Sequence, residues 1–245
     1  MTTSNPFSEI ASCGTYRALA DLFLFSAGMT VALSLGAILI LNGAFRLGLA
    51  AAEITPVVQS SVYLAACLYV LREKGVEFGA AARDWLAKAV SDALSALKYA
   101  CLYLAIIGCM LALAAAVIRL GGAQGAGLVR ELGSREELYS AARTAVASSG
   151  ARPVLLFLSF CVLAPLGEEF FFRRILYTDL RKKMGFLRTL FASSVIFAAT
   201  HGAASLTVFP VSLLLGYVYE KKRRLPVNIM LHGLINLFVL SVRLG

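Results

Sequence analysis

Charge is scarce in this 245-residue chain: Asp, Glu, Lys and Arg make up 15% of it, against 59% apolar residues. That balance excludes an ordinary soluble domain, in which about a quarter of the residues are charged. Histidine is scarcer still, with only His201 and His232 present, and no H-E-x-x-H motif can be written. The five cysteines (Cys13, Cys67, Cys101, Cys109 and Cys161) include no C-x-x-C pair, and all but Cys13 fall in apolar stretches. Neither a disulfide framework nor a thiolate zinc site is therefore expected. The first residues, Met1 to Glu9, carry no positive region followed by an apolar core, so no cleaved signal peptide is expected. Internal repeats and low-complexity tails are also missing.

What is present in quantity is long apolar runs, several of them near the ~18–20 residues that cross a bilayer. The chain reads as all-α: one integral membrane domain, residues 1–245, built as a polytopic transmembrane bundle of about seven spans. These are expected near 18–41, 56–71, 98–118, 153–176, 186–204, 206–219 and 226–244. The sixth is short, about 21 Å at 1.5 Å per residue, and need not cross fully. In the first span Gly28, Ala32 and Gly36 recur every four residues, a spacing that lets another helix approach closely. Residues 83–94 place Trp85, Leu86, Ala89, Val90, Ala93 and Leu94 on one helical face and Arg83, Asp84, Lys88 and Asp92 on the other. That pattern predicts an interfacial amphipathic helix, with Trp85 at headgroup level. Residues 119–152 form the longest polar stretch, opening on a glycine-rich segment. Within it Ser134 to Glu137 fits a capping box, predicting a short helix to about Ala147 that serves as a connector or a lid.

The net charge of +9 resides mostly in loops. With seven spans, one side of the membrane receives 15 Lys and Arg residues and the other 7. The positive-inside rule then puts the N-terminus in the cytoplasm. The charge pattern speaks of orientation in a membrane rather than of nucleic acid.

Against this background the stretch Ala164-Pro-Leu-Gly-Glu-Glu-Phe-Phe-Phe-Arg-Arg174 is anomalous, because it puts Glu168, Glu169 and Arg173 inside an apolar span. Each charge at mid-membrane costs roughly 2.5–3.5 kcal/mol on insertion scales, so each must be paired or must face a wet cavity. Glu169 and Arg173 are four residues apart with the acid first, the favourable order for a helical ion pair. Glu168 lies about 100° round the helix and has no local partner. One pair needs one glutamate, so the second marks Glu168 as a functional group.

Both histidines also fall in expected spans. His201 has Phe197 one turn earlier, and His232 has Asn236 one turn later. Counting 1.5 Å per residue from the cytoplasmic ends lets Glu168, His201, His232 and Asn236 converge in that half of the membrane. Taken together, E-E-x-x-x-R at 168–173, F-x-x-x-H at 197–201 and H-x-x-x-N at 232–236 resemble the three motifs of the CAAX prenyl endopeptidase and bacteriocin-processing (CPBP, or Abi) family. The run Leu215-Gly-Tyr-Val-Tyr-Glu220 is similar to that family too. The resemblance covers about 153–240, leaving 1–152 non-diagnostic. It implies an intramembrane endopeptidase in which Glu168 and His201 activate a water while His232 and Asn236 stabilise the oxyanion. Glu169, Arg173 and Phe197 are expected to support them.

The chemistry is intelligible from the residues themselves. Peptide hydrolysis needs a base for the water and donors where the tetrahedral oxyanion develops. An apolar pocket makes a carboxylate a stronger base near neutral pH. A metal-independent glutamate mechanism without cofactor is the expectation; the alternative is zinc held by Glu168, His201 and His232, a ligand set zinc accepts. Were His232 a ligand, Asn236 one turn on would have no evident task. The expected partners are a peptide or protein substrate at the membrane, lipidated or C-terminal, and the bilayer itself, with no nucleic acid. The Ala- and Arg-rich composition points to a bacterial inner membrane. A non-catalytic scaffold or immunity protein is the alternative from another class, and a proton-coupled carrier a third, against which the lack of repeats counts.

Overall fold

The computed structural model describes residues 5–133, 144, 147 and 152–244. Helices α1 (Tyr16–Ile38, drawn on by a π-helical turn over Leu39–Ala44), α2 (Ala51–Glu73), α3 (Phe78–Ala87) and α4 (Ala89–Gly133) form the first half. The second comprises α5 (Arg152–Lys183), α6 (Phe186–Ala199), α7 (Ser205–Lys222) and α8 (Leu225–Leu244). No strand occurs among the described residues. Among the described residues, five helices are long and apolar enough to cross a membrane: α1 with its π turn, α2, α4, α5 and α8. The fold is a polytopic helical bundle, with α6 a shorter apolar helix of 14 residues.

Several boundaries differ from the sequence reading, each for a local reason. The second span starts at Ala51, with Pro56 inside it, because the Glu53 carboxylate accepts the Ala50 N–H and closes the first turn. The amphipathic segment is not one helix to Leu94. It breaks at Lys88, and α4 begins at Ala89. One guanidinium bridges the break: Arg224 donates to Asp84 on α3 (2.8 Å) and to Asp92 on α4 (2.7 and 2.6 Å). Helix α4 also runs through the glycine-rich segment instead of ending near Ile118, kinking at Gly122, whose φ of 53° and ψ of −131° only glycine adopts cheaply. The short helix and possible lid expected from Ser134 to about Ala147 lie almost wholly outside the described residues.

The small-residue stripe of α1 does not make the close approach expected of it. Nothing comes within 4 Å of a Cβ built at Gly28 or Gly36; the buried face of α1 is Leu19, Ser26, Thr30 and Ser34. The close approaches are elsewhere. A Cβ on Gly167 of α5 would stand 2.4 Å from the Ser60 carbonyl oxygen of α2, and one on Gly233 of α8 would stand 2.6 Å from that of Cys161.

At the centre of the bundle lies α5, whose residues Phe170 to Tyr177 are buried with the exception of half-buried Arg174. The N-terminal segment straps its end. Asp179, fully buried, accepts hydrogen bonds from Ser12 Oγ (2.6 Å), Cys13 N (3.0 Å) and Gly14 N (2.8 Å), and Lys182 Nζ donates to Ser12 Oγ (2.7 Å). Burial and the Asp179 carboxylate push the Cys13 thiol up to about 12, so it stays protonated. Phe7 packs its ring against Tyr177 and Tyr219 at 5.8 and 5.9 Å.

Candidate active site

The site grows out of the geometry of α5. Its middle consists of a single α-helical turn, Ala164–Glu169, between π-helical stretches at Ser159–Leu163 and Phe170–Tyr177. Such wide turns are rare and recur at functional sites. Here the α turn sends two adjacent carboxylates different ways, and Gly167 lets α2 close against the backbone beside them.

Glu169 turns into the bundle, where it is fully buried. Its Oε2 accepts from Arg173 Nε (3.2 Å) and Asn228 Nδ2 (3.2 Å), and its Oε1 is 2.9 Å from His232 Nδ1. The expected pair with Arg173 is therefore present, with both side chains at 0% exposure. Arg173 also donates through Nη2 to Ser212 Oγ (3.2 Å), and its guanidinium carbon stands 5.1 Å from the centre of the Phe197 ring. Asn228 donates a second bond to the Leu215 carbonyl (2.7 Å). The charge is thus compensated on three sides, as a buried ion pair requires.

Glu168 turns the other way and keeps 15% of its side chain exposed. Its Oε2 lies 4.0 Å from His201 Nε2 and 3.8 Å from His232 Nε2, and has no hydrogen-bond partner among the described residues. The ring tautomers follow from the partners. His201 Nδ1 sits 2.8 Å from the Phe197 carbonyl, which can only accept, so this nitrogen carries the hydrogen. His232 Nδ1 likewise donates to the Glu169 carboxylate. Both rings, when neutral, therefore present an Nε2 lone pair towards the same carboxylate oxygen. Three acceptors facing one another call for a donor between them. A water's two hydrogens serve the carboxylate and one ring, and protonating the other ring at Nε2 turns the third acceptor into a donor.

The remaining residues frame this point. Phe197 lies under both rings, 4.6 Å from His201 and 6.1 Å from His232 between centroids. His201 does not sit within its helix as expected: α6 stops at Ala199, and the histidine is held in the turn that follows, its φ being −99°. Asn236 stands one turn beyond His232 on α8 and donates through Nδ2 to the Phe160 carbonyl (2.8 Å), at the first π stretch of α5. Among the described residues no group of three or more His, Cys, Asp or Glu side chains is arranged to hold a metal ion.

Sequence reasoning missed Asn228 and Ser212. Asn228 had a signal, since it stands four residues before His232 on the same face of an apolar helix. Ser212 had none, because a single hydroxyl in a span usually bonds its own backbone.

Comparison with known proteins agrees with the motif reading. The family model described as type II CAAX prenyl endopeptidase Rce1-like matches residues 150–238, which hold every site residue named above. Among curated proteins, the UPF0177 protein YaiH of Lactococcus lactis subsp. lactis (strain IL1403) is 33% identical over 88 residues. That match takes in 34% of this chain and spans about a third, 36%, of the relative. No solved structure matches the chain. Over residues 150–238, the part of the bundle that carries Glu168, His201 and His232, the chain is similar to the Rce1-like family model.

Proposed function

We propose that this protein is an intramembrane endopeptidase that hydrolyses a peptide bond near the cytoplasmic face of the membrane. The observation that carries the reading is the buried, unbonded Oε2 of Glu168 facing two imidazole Nε2 atoms at 3.8 and 4.0 Å. A water held there donates to the carboxylate. As its oxygen attacks the substrate carbonyl carbon, Glu168 takes its proton, with His201 orienting the water through Nε2. The carbonyl oxygen becomes the oxyanion. Breaking the C–N bond then returns the proton from Glu168 to the leaving amine, leaving a new carboxyl terminus and a new amino terminus.

For the oxyanion, Asn236 has one amide hydrogen beyond the bond to Phe160, and His232 offers a donor when its Nε2 is protonated. Carboxylates on both sides of the His232 ring, Glu169 at 2.9 Å and Glu168 at 3.8 Å, compensate that charge. Glu169, Arg173 and Phe197 hold the ring in place and have no part in the proton transfers. The Rce1-like match supports a substrate presented at the membrane as a lipidated or C-terminal peptide. The setting we infer is a bacterial inner membrane with the N-terminus cytoplasmic. The mechanism is metal-independent in this reading; a zinc-dependent version would use Glu168, His201 and His232 as ligands instead.

The test is to compare membrane peptides from cells carrying the active protein with those from cells carrying Glu168→Ala at equal abundance. Cleavage products that vanish in the variant, and persist in purified wild-type protein after prolonged chelation, are expected. Identical peptide sets with the protein's cellular role preserved would replace the enzyme with a scaffold. Activity lost to chelation and restored by zinc would replace the glutamate mechanism with a metal one.

A further inference from the structure

On the far side of α5 from Glu168, a cavity of about 380 Å³ opens between α3, the N-terminal strap and the α7–α8 turn. Its walls are largely apolar, with Phe78, Trp85 and Phe170 among them, yet Arg174, Arg223, Arg224 and Asp84 also line it. The three arginines are not equivalent. Arg224 is neutralised by Asp84 and Asp92 at 2.6–2.8 Å. The half-buried Arg174 donates to the Ala11 carbonyl, a neutral acceptor, and has no carboxylate partner among the described residues. Arg223, exposed at the C-terminal end of α7, has a φ of 50°, in the left-handed region that glycine occupies more cheaply, and makes no ion pair among the described residues. The one carboxylate in the wall, Asp84, is held by Arg224 and Lys88, so the charges of Arg174 and Arg223 are left without a carboxylate partner among the described residues.

The cavity's depth is fixed by its neighbours. Helix α3 is the amphipathic element with Trp85, and beside it Leu86 and Val90 are 78% and 76% exposed, as residues against lipid are. The basic runs Arg181–Lys183 and Lys221–Arg224 end the adjoining helices on the same side. Phe170 is two residues from Glu168, about 200° round a helix, so the cavity opens on a different face of α5 from that carboxylate.

We propose that the cavity is a binding site for an anionic phospholipid, its phosphate on Arg174 and Arg223 and its glycerol and upper acyl carbons against the aromatic and aliphatic wall. Charge, apolar lining and interfacial depth each match that ligand, and a soluble anion would leave the wall unused. The site is separate from the proteolytic reading and stands whether or not that reading holds.

The test uses the full chain in detergent, titrated with dioleoyl phosphatidylglycerol or dioleoyl phosphatidylcholine and read by native mass spectrometry and by the melting temperature. Phosphatidylglycerol should bind and raise the melting temperature of the wild type. In Arg174→Gln/Arg223→Gln its affinity should fall about tenfold or more, with phosphatidylcholine binding unchanged. Should the double variant not fold, Arg223→Gln alone, at an exposed turn, should still lose several-fold. Equal phosphatidylglycerol affinity in the folded variant and the wild type would overturn the proposal. So would a stabilisation that inorganic phosphate, or phosphatidylcholine, reproduces in full.

Discussion

Glu168 and Glu169 are chemically identical neighbours that end in opposite circumstances. Glu169 is fully buried and bonded to Arg173, His232 and Asn228, while Glu168 points an unbonded oxygen at two histidines. Removing the partner of a buried charge typically costs about 3–5 kcal/mol. Arg173→Ala strands Glu169 and should lower the melting temperature and the yield of folded protein. Glu168→Ala removes an unbonded carboxylate and should leave both near the wild type. Thermal melts of the two purified variants check this; equal stability would mean that the roles of the two glutamates are misassigned. The Glu169–Arg173 pair was legible because an i,i+4 spacing is a property of one helix. The link from Glu169 to His232 was not, since it joins residues 63 apart and depends on how α8 packs.

At the scale of the elements, the apolar runs announced nearly every helix but not where close packing occurs. Periodicity pointed to Gly28, Ala32 and Gly36, whereas the contact that seats the site is Gly167 on Ser60, a glycine with no repeating pattern around it. The π-helical stretches of α5 were equally illegible, because they depend on which carbonyls remain free once α2 and α8 are in place. Two glycines give the test. In Gly167→Ala the new methyl meets the Ser60 backbone at 2.4–2.9 Å, so α2 and α5 must separate, at a cost of about 1–3 kcal/mol. In Gly216→Ala the methyl crowds the end of the Leu190 side chain at 2.7 Å and otherwise meets Tyr177 and Ser194 at ordinary contact distance, and the better helix propensity of alanine, about 1 kcal/mol, offsets the contact. Denaturation should therefore show Gly167→Ala clearly destabilised and Gly216→Ala close to the wild type. The reverse order would place the close helix contact elsewhere.

For the whole molecule, the sequence foretold a polytopic bundle with its polar groups gathered at one level. It did not foretell the strap of residues 5–14 across the end of α5, because Ser12, Cys13 and Gly14 reach Asp179 from more than 160 positions away. The strap, the basic runs and Arg224 all lie at the end of the bundle that the charge count assigns to the cytoplasm. A reporter fused at the N-terminus should accordingly be active only in its cytoplasmic form; activity on the outer side would invert the orientation and the side on which cleavage occurs. The claim on which the functional account rests is that Glu168 takes the proton from water. It is tested most directly by the cleavage rate of a substrate peptide by wild-type and Glu168→Gln protein, reconstituted side by side in bilayers at matched folded fraction. The account predicts a fall of about 10²–10⁴-fold, the contribution of a positioned general base. A Glu168→Gln rate within a few-fold of the wild type would contradict it.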